Sequence, residues 1–522
     1  MKRITFILAL LVFASALARG QAGYLDKTFG DGGVMRVPLP AGKNFYALDV
    51  KILPDGKIIQ SGVYYDAGSF TQNLCVVKHN KNGTLDSSFG NDGFSSLILD
   101  MSVSVGKLLA YPDGRVLLYG DVHIKAERRP LIIRFLANGK VDSSFGDKGI
   151  YSETKFIGYF HRLKIEDDGH IIALGGRSKP NSPSGVYSPI ITRLTSAGKK
   201  DFSFGTSGIV FIGAERDTGT LHDAIFYKDS LCIFSFSTPS FPEANLQMLF
   251  TKINGVIDSA YGDNGIISSQ LSDDEDYIES FLGDYNNYFL CLVGIKRNGN
   301  YEHTIVKLSD EGELDNSFGH WGITQDIDPR YDQHFNVITM DSNKNILQAG
   351  RVIDLITASN WLLTARYLHN GRVDSSYGYN GMSDALLLHM KSIEAIAIQS
   401  DGKYIVLGTD FKDNQSTAVI CRLVSYGATA VARLNENINA ISLHPTPSLD
   451  NCTVTYTLPA SSDCSLTLRD ESGREVRTLV TSEFRASGKH QEELDLRGLA
   501  SGVYFLEIES GGTIQTAKLI KQ

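Results

Sequence analysis

One short motif recurs seven times along the chain at nearly constant spacing. It consists of an aspartate, two residues, an aromatic residue, a glycine, two further residues and a second glycine. Successive aromatic positions lie 56 to 60 residues apart. A fixed period in this range indicates a stacked or radial repeat architecture. The motif residues are Asp26, Phe29, Gly30, Asp86, Phe89, Gly90, Asp142, Phe145, Gly146, Asp201, Phe204, Gly205, Asp258, Tyr261, Gly262, Asp315, Phe318, Gly319, Asp374, Tyr377 and Gly378.

Each repeat unit has the pattern of several short β-strands. In the first unit, largely apolar runs at 47–53 and 57–63 flank a Pro-Asp-Gly turn at 54–56. Asp-Gly between two such runs is a strong hairpin signal. A third strand, such as 131–135, is apolar on both faces, which is typical of a strand between neighbouring sheets. A fourth segment after the motif, such as 33–39, completes a unit of four strands.

The ends of the repeat region indicate how the strands close on themselves. Segment 33–39 has no complete unit before it in the sequence. The last unit ends with the strand at 419–423 and lacks a fourth strand. We therefore expect segment 33–39 to complete the last blade, which leaves few exposed strand edges. In the alternative phase each unit is a whole blade built from the same strands. In both cases the sequence predicts an all-β fold, with a seven-bladed β-propeller over residues 24–425.

The repeat resembles the delta-60 repeat, a bacterial β-propeller family. The likeness rests on the Leu-Asp-x-Ser-Phe-Gly-x-x-Gly motif and on the Asp-Gly-Lys hairpin, and it covers residues 24–425. The fourth and fifth units depart from the pattern, because 228–230 (Lys-Asp-Ser) and 286–287 (Asn-Asn) replace the Asp-Gly turn. The hairpin geometry of these two units is therefore open. The resemblance implies a fold and no activity.

A second module follows the repeats. Residues 426–440 have the composition of a linker, and residues 441–522 contain about seven short alternating strands. This pattern predicts a small β-sandwich of immunoglobulin-like type. Cys452 and Cys464 are close enough in sequence to bridge a hairpin, and the sequence leaves their pairing open.

The second module is similar to the type A sorting domain of the type IX secretion system, which occurs in Bacteroidetes. The likeness rests on a Pro-x-Pro opening, an Asp-x-x-Gly-Arg-x-Val turn, a Leu-x-x-Gly-x-Tyr strand and a final lysine. The usual opening is Tyr-Pro-Asn-Pro, whereas this chain has His-Pro-Thr-Pro. The resemblance implies the secretion machinery as a partner, removal of the domain after export, and release or attachment to surface lipopolysaccharide. The sorting-signal residues are Pro445, Pro447, Gly473, Gly502, Tyr504 and Lys518.

The first twenty residues have the pattern of a secretory signal peptide. Lys2 and Arg3 precede an apolar run at 4–13, and 16–18 is an Ala-Leu-Ala cleavage pattern. No later apolar run reaches the roughly 18 residues of a membrane-spanning helix. We therefore assign 1–20 as signal peptide, expect no transmembrane segment, and expect a secreted or outer-surface protein that passes through the periplasm.

Composition and motifs exclude several functional classes. There are 59 acidic and 50 basic residues, and this excess of negative charge argues against a nucleic-acid partner. The six cysteines include no Cys-x-x-Cys pair, and the twelve histidines form no metal-ligand motif. Neither a Gly-x-Ser-x-Gly elbow nor a phosphate-binding glycine loop occurs. We expect no metal site, no cofactor and no catalytic motif.

Repeated polar residues have both a functional and a structural interpretation. The motif aspartates could bind calcium, but the surrounding positions vary between copies, so we expect each to cap its own turn. A basic residue in every third strand could form a ring for anionic ligands. We instead expect it to pair with the motif aspartate or a loop carbonyl, because function more often resides where copies differ. These basic residues are Lys78, Arg134, Arg193, Lys252, Lys307, Arg366 and Arg422.

Some features occur in single units only. The acidic run at 272–276 could bind a cation, although a solvated loop is the preferred interpretation. Trp321, Tyr331, Phe335 and Trp361 could stack on sugars, although core or blade-contact roles are preferred.

Three functional hypotheses follow from the sequence. The first is a non-enzymatic, secreted or cell-surface propeller whose loops bind a glycan or a protein. The second is a secreted glycosidase or lyase, since propellers also host enzymes, and it requires clustered Asp, Glu, His or Tyr at the mouth of the ring. The third is a structural spacer of the cell envelope.

Overall fold

The computed structural model divides the chain into two compact units, and Ala22–Ser425 forms one of them. Among the described residues no helix is long and apolar enough to cross a membrane. The signal peptide and the linker lie outside the described residues. The structure describes residues 22–38, 43–66, 72–98, 102–103, 106–124, 127–154, 156–178, 187–212, 220–227, 231–237, 246–269, 271, 276–283, 288–297, 300–324, 331–354, 360–378, 381–383, 390–412, 415–425, 441–445, 447–458, 462–470, 474–486, 488–510 and 513–522.

Over its described residues the larger unit contains seven antiparallel sheets, one for each repeat. Sheet 1 contains β2–β5, sheet 2 β6–β10, sheet 3 β11–β14, sheet 4 β15–β18, sheet 5 β19–β21, sheet 6 β22–β24, and sheet 7 β25–β27 with β1. The strands are β1 (Val34–Arg36), β2 (Lys43–Ile52), β3 (Ile58–Asp66), β4 (Asn73–His79), β5 (Phe94–Ile98), β6 (Ser102–Val103), β7 (Lys107–Ala110), β8 (Val116–Ile124), β9 (Glu127–Phe135), β10 (Ile150–Ser152), β11 (Gly158–Ile165), β12 (Ile171–Ser178), β13 (Tyr187–Leu194), β14 (Ile209–Phe211), β15 (Thr220–Tyr227), β16 (Leu231–Ser237), β17 (Leu246–Lys252), β18 (Ile266–Ser269), β19 (Asp276–Gly283), β20 (Tyr288–Arg297), β21 (Asn300–Ser309), β22 (Tyr331–Met340), β23 (Ile346–Asp354), β24 (Asn360–Tyr367), β25 (Met390–Ile398), β26 (Tyr404–Lys412) and β27 (Gln415–Leu423).

Neighbouring sheets contact one another in a closed cycle through their inner strands, β2, β7, β11, β15, β19, β22 and β25. The strand β2 contacts both β7 and β25, and β15, β19 and β22 continue the series of contacts between β11 and β25. Between sheets 2 and 3, β11 packs on β8 and β9. This cyclic order of small antiparallel sheets, each with one strand edge toward the centre, is a β-propeller.

The first strand of the unit pairs with the last one. In the register of β1 with β27, Val34 lies opposite Cys421 and Arg36 opposite Val419. The guanidinium Nη2 of Arg36 lies 3.1 Å from the Oδ2 of Asp410 in the same sheet. The pairing confirms the predicted closure, in which the segment after the first motif completes the last sheet.

The fourth and fifth units form hairpins despite their altered turns. The strand β15 pairs with β16 from Thr220–Ser237 to Tyr227–Leu231, and β19 pairs with β20. The turn residues at 228–230 and 284–287 lie outside the described residues. Strand pairing here is sustained by burial of both faces, since Cys232, Ile233 and Phe234 of β16 have no exposed surface.

Packing between sheets supplies the core. Every residue of β4 is buried, as the apolar pattern of the third strand predicts. Phe45 and Val50 of sheet 1 pack with Ile405 and Ile420 of sheet 7 in one hydrophobic cluster. The apolar surface buried between sheets therefore holds the ring together.

The C-terminal unit has two antiparallel sheets around one hydrophobic core. One sheet has the order β28-β29-β32 and the other β31-β30-β33-β34. Cys452 and Cys464 both lie in this core as free thiols, so they form no disulfide. Its strands are β28 (Ser442–His444), β29 (Asn451–Leu458), β30 (Ser462–Asp470), β31 (Glu475–Arg485), β32 (Gly488–Asp495), β33 (Gly502–Ser510) and β34 (Thr513–Lys521).

Candidate functional site

The motif aspartates take part in contacts within their own units. In the third unit, Oδ1 of Asp142 accepts hydrogen bonds from the backbone N–H (3.1 Å) and the hydroxyl (2.6 Å) of Ser144. Its Oδ2 accepts a hydrogen bond from Nε of Arg134 at 2.8 Å. Burial raises the pKa of Asp142, but the hydrogen bonds from Ser144 and the charge of Arg134 outweigh burial, so the pKa is lowered. The guanidinium carbon of Arg134 also lies 4.6 Å from the ring centroid of Phe145.

The same ion pair occurs in most other units. The predicted pairing of the third-strand base with the motif aspartate is confirmed in six units. Among the described residues Lys252 and Asp258 form no such pair. The other five pairs are Arg422–Asp26 (2.9 Å), Lys78–Asp86 (3.8 Å), Arg193–Asp201 (2.6 Å), Lys307–Asp315 (3.0 Å) and Arg366–Asp374 (2.8 Å).

The motif also connects most units to the next. The N–H of Gly90 donates to the carbonyl oxygen of Asn138 in the following unit at 2.8 Å. Gly90 has a φ of 57°, and an added Cβ would lie 1.9 Å from the carbonyl oxygen of Phe94, so only glycine fits. Arg134 likewise donates from Nη1 to the carbonyl oxygen of Ser196 at 2.6 Å. These contacts leave the motif little capacity for a ligand, and no described group of three or more His, Cys, Asp or Glu residues could hold a metal ion.

A β-bulge interrupts six of the inner strands at one equivalent position. In β2, for example, the register with β3 shifts between Ala47 and Asp49, which leaves Leu48 as the extra residue. Bulges are frequent next to functional sites because they redirect a side chain. We call the six extra residues, with Gly106 at the same position before β7, the bulge ring: Leu48, Gly106, His161, His222, Glu279, Asn336 and Glu394.

The bulge ring is the place where the copies differ most in chemistry. The residues just before the bulge are buried and apolar in each of the six bulged strands, as Phe160 and Ile278 illustrate. The bulge positions themselves are leucine, histidine, glutamate or asparagine. None of these residues is among the site residues predicted from the sequence, although the sequence contains a signal for them. Each one lies seven positions before the turn residue of its hairpin, namely Asp55, Asp113, Asp168, Asp229, Asn286, Asn343 and Asp401.

Charged side chains of non-adjacent sheets influence one another across the centre of the ring. Lys107 follows Gly106 on sheet 2, and its positive charge acts to lower the pKa of Glu279 on sheet 5 and of Glu394 on sheet 7. Neither of those sheets is adjacent to sheet 2 in the cycle of contacts. Groups on non-adjacent sheets approach one another only at the axis of a propeller. Lys107, Glu279 and Glu394 therefore face a common axial space.

The two glutamates are poorly solvated. Burial raises the pKa of Glu279, the negative charge of Asp223 raises it further, and the charge of Lys107 only partly opposes this rise. Burial likewise raises the pKa of Glu394, against a hydrogen bond from Ser392 and the charge of Lys107. Within the part of the chain that the structure describes, the carboxylate of Glu279 has no hydrogen-bond or ion-pair partner.

Two other carboxylates near the axis already have hydrogen-bond or ion-pair partners within the protein. Asp49 accepts hydrogen bonds from Nζ of Lys51 and from the backbone N–H of Leu108, both at 2.9 Å. The Oδ2 of Asp223 lies 3.4 Å from Nη2 of Arg162. These contacts connect neighbouring sheets and neutralise both aspartates. Within the described part of the chain, Lys107, Glu279 and Glu394 form no ion pair.

Neutral polar groups complete the bulge ring. Burial lowers the pKa of His161 to about 4 and also lowers the pKa of His222, so both imidazoles are uncharged at neutral pH. The Nε2 atom of His161 is buried and has no hydrogen-bond partner among the described residues. Asn336 donates from Nδ2 to the carbonyl oxygen of Ile393 at 2.8 Å. The site can therefore bind a small polar group, and it holds groups that can exchange protons.

The structure agrees with the expectation for some of the features that occur in single units and not for others. Phe335 is buried in the core, as expected. The expectation of a core or blade-contact role for Trp321 is wrong, because 67% of its surface is exposed. It lies in the turn after the sixth motif with a φ of 57°. The side chains of Tyr331 and Trp361 and residues 272–275 lie outside what the structure describes.

The described sorting-signal residues lie on β33, on β34 and just after β28. Tyr504 is buried on β33, and its hydroxyl donates to the carbonyl oxygen of Ala500 at 2.8 Å. Gly502 begins β33, and the backbone of Lys518 lies opposite Phe505. Pro445 and Pro447 are exposed, and Gly473 lies outside the described residues.

Two family models match the chain. Residues 442–522 match the secretion system C-terminal sorting domain. Residues 53–89 and 112–145 match a β-propeller family described as a domain of unknown function, DUF5122. A comparison with curated proteins finds no match.

The solved structures that match this chain differ widely from it in sequence. A protein of unknown function from Dyadobacter fermentans is 11% identical with a TM-score of 0.36, and the alignment covers 75% of this chain and 100% of that one. A GH32 β-fructofuranosidase of Bombyx mori is 10% identical with a TM-score of 0.31, covering 95% and 90%. An endo-arabinase from Bacteroides thetaiotaomicron is 10% identical with a TM-score of 0.30, covering 52% and 95%.

These solved structures are too distant to indicate an activity. The family matches agree with the cyclic order of the sheets and with the motifs of the C-terminal unit. The chain is thus a β-propeller protein with a type IX secretion system sorting domain, which directs export to the cell surface or the extracellular space.

Proposed function

We propose that this protein is a secreted or cell-surface binding module whose ligand occupies the axial space at the bulge ring. The observation that carries the proposal is the set of three charges, Lys107, Glu279 and Glu394, that face one another from non-adjacent sheets. Partly buried charges that form no ion pair among the described residues reduce the stability of a fold. Chains retain such groups mainly where a ligand or a reaction uses them.

The repeat pattern supports the same location. The motif residues are identical or similar in every unit and are engaged in contacts within and between sheets. The bulge positions keep one geometry while their chemistry changes from unit to unit. A ring fold can thus vary its binding chemistry there without disturbing the packing that all units share.

A second candidate function is acid–base catalysis on a glycan, by a glycosidase or a lyase at the same axial space. The observation that favours it is the raised pKa of both Glu279 and Glu394, because a raised pKa favours the protonated form that a general acid needs. Paired carboxylic acids are also the groups that most glycoside hydrolases use. In this alternative one of the two glutamates would act as the general acid.

Export and the fate of the sorting domain form the remaining part of the proposal. From the likeness to type A sorting domains, we propose that the secretion machinery recognises residues 442–522, removes them, and releases the propeller or attaches it to lipopolysaccharide. Mass analysis of the surface-bound and released protein tests this step. A secreted product that still carries the domain contradicts it.

A thermal-shift screen tests the binding proposal. The exported chain is heated with polysaccharides, peptidoglycan fragments, matrix proteins and calcium, alongside the variants Glu279→Gln and Lys107→Met. A ligand at about a hundred times its Kd stabilises the folded state by roughly 2.7 kcal/mol, which is measurable. A shift that either variant changes supports an axial site. Turnover of that ligand supports the enzyme, and no shift with any compound supports a structural spacer.

A further inference from the structure

The bulge ring has two chemically different sides. Sheets 3 to 7 contribute, in order, two histidines, a glutamate, an asparagine and a glutamate. Sheets 1 and 2 contribute Leu48 and Gly106. A Cβ added at Gly106 would lie 2.6 Å from Cδ1 of Leu48, so the leucine covers the space that the glycine leaves. One side of the axial space is therefore polar and the other is aliphatic.

The polar side has more hydrogen-bond acceptors than donors. An ionised carboxylate accepts hydrogen bonds and donates none, and Glu279 and Glu394 each contribute two oxygens. One amide N–H of Asn336 donates to the carbonyl oxygen of Ile393, and the side-chain oxygen remains available as an acceptor. The buried Nε2 of His161 adds a polar atom without a partner among the described residues. A complementary ligand would have to supply donors.

The charges of the axial space do not cancel. Asp49 and Asp223 are neutralised by Lys51 and Arg162. The remaining groups are two glutamates and Lys107. A single positive charge on a ligand would bring this set to neutrality and would replace the solvation that the glutamates lack.

We propose that the axial space binds an organic cation, with an ammonium or guanidinium group hydrogen-bonded to Glu279 and Glu394 and its carbon portion against Leu48. The inference rests on the proposed function, because it names the ligand class of the same site. Charge-assisted hydrogen bonds from such a group are among the strongest that a carboxylate accepts. Candidate groups are an amino sugar, a polyamine, or a lysine or arginine side chain.

Lys107 has a defined role in this arrangement. Its ammonium acts on both glutamates in the free protein and so competes with a cationic ligand. Removing this charge should make the axial space more negative. The variant Lys107→Met, which keeps most of the length of the side chain without its charge, is therefore expected to bind the cation more tightly.

Calorimetric titration with matched sugars tests the inference. Glucosamine and putrescine serve as cationic probes, N-acetylglucosamine as the neutral counterpart, and galacturonate as an anion, all with the full chain at pH 7.5. We expect the cationic probes alone to bind. We expect Glu279→Gln and Glu394→Gln each to weaken binding at least about tenfold, since removal of a buried charge partner costs affinity. The exposed Glu313→Gln is the matched control and should leave binding unchanged.

The possible results of the titrations distinguish an error in the proposed ligand class from an error in the proposed location of the site. Binding of N-acetylglucosamine or galacturonate that Glu279→Gln abolishes overturns the cation inference and leaves the axial binding proposal intact. Cation binding that is insensitive to Glu279→Gln, Glu394→Gln and Lys107→Met overturns both. If a glutamine variant does not fold, the affinity of Lys107→Met for the cationic probes tests the inference instead. Weaker or unchanged binding by a folded Lys107→Met protein contradicts the inference.

Discussion

Arg366 and Asp374 form a buried ion pair, with Nη2 of the guanidinium 2.8 Å from Oδ2 of the carboxylate and the two side chains only 2% and 9% exposed. The guanidinium carbon also lies 4.6 Å from the ring centroid of Tyr377. Because the pair is buried, removing the carboxylate leaves the guanidinium without its counter-charge. We expect Asp374→Asn to lower the free energy of unfolding by about 3 kcal/mol, measured by chemical denaturation.

The chain offers a matched control for this prediction. Asp258 holds the equivalent place in the fifth unit, where its Oδ1 accepts the N–H of Ala260 at 3.2 Å but no ion pair with Lys252 is present. We expect Asp258→Asn to cost about 1 kcal/mol, the contribution of a single turn hydrogen bond. Equal losses for the two variants would show that the buried pair adds nothing to the turn.

His79 makes the propeller sensitive to acid. The side chain is fully buried, and burial lowers its pKa from 6.5 to about 4, against a hydrogen bond to the carbonyl of Gly83. Below pH 6.5 the unfolded chain binds a proton that the folded chain does not. Stability is therefore lost as pH falls from about 6.5 to 4, by up to about 3 kcal/mol from this residue.

A leucine at this position tests the acid sensitivity. Other units have apolar residues at the end of the third strand, such as Phe135 and Leu194. We expect His79→Leu to lose less stability than the parent between pH 7 and pH 4.5, followed by thermal melts. The exposed His369→Gln should follow the parent curve. Parallel curves for His79→Leu and the parent would refute the assignment.

The axial glutamates should reduce stability at neutral pH. Burial raises the folded-state pKa of Glu279, so protonation stabilises the folded chain, and this stability is lost as pH rises from the unfolded pKa through the folded one. We expect Glu279→Gln to have a higher Tm than the parent at pH 8 and no advantage at pH 4. A gain that is the same at both pH values would indicate a packing effect instead.

Closure of the ring can be tested with a disulfide. Val34 of β1 lies directly opposite the native Cys421 of β27. Cross-strand neighbours are close enough for a disulfide in favourable cases. We expect Val34→Cys to form an intramolecular disulfide on oxidation, detected by mass spectrometry, and to raise the Tm. Met35→Cys is the control, because a shift of one residue turns the side chain to the opposite face.

The strands and the closure of the ring were predictable because their signals are local. Apolar runs around an Asp-Gly turn specify a hairpin within about 17 residues. The missing fourth strand of the last unit specified the pairing of β1 with β27. The exposure of Trp321 was not predictable in the same way, since an aromatic residue after the motif does not reveal that its turn faces solvent.

The axial site was not predictable because two of its causes are not local. A bulge is a property of the register between two strands, and the extra residue is not marked in the sequence of either one. The charges of Lys107 and Glu394 come together only when the ring closes. An alignment of the seven units on their hairpin turns would show that the bulge-ring position varies in chemistry. It would not show which of these side chains come together in the folded ring.

A double-mutant cycle between Lys107 and Glu394 tests most directly whether unpaired charges meet at the axis. The free energy of unfolding is measured for the parent, Lys107→Met, Glu394→Gln and the double variant at pH 7.5 and low salt. We predict a coupling energy of at least about 0.5 kcal/mol that decreases as salt is added. Additive effects at every salt concentration would contradict the account, because they would show that the two side chains do not interact across the ring.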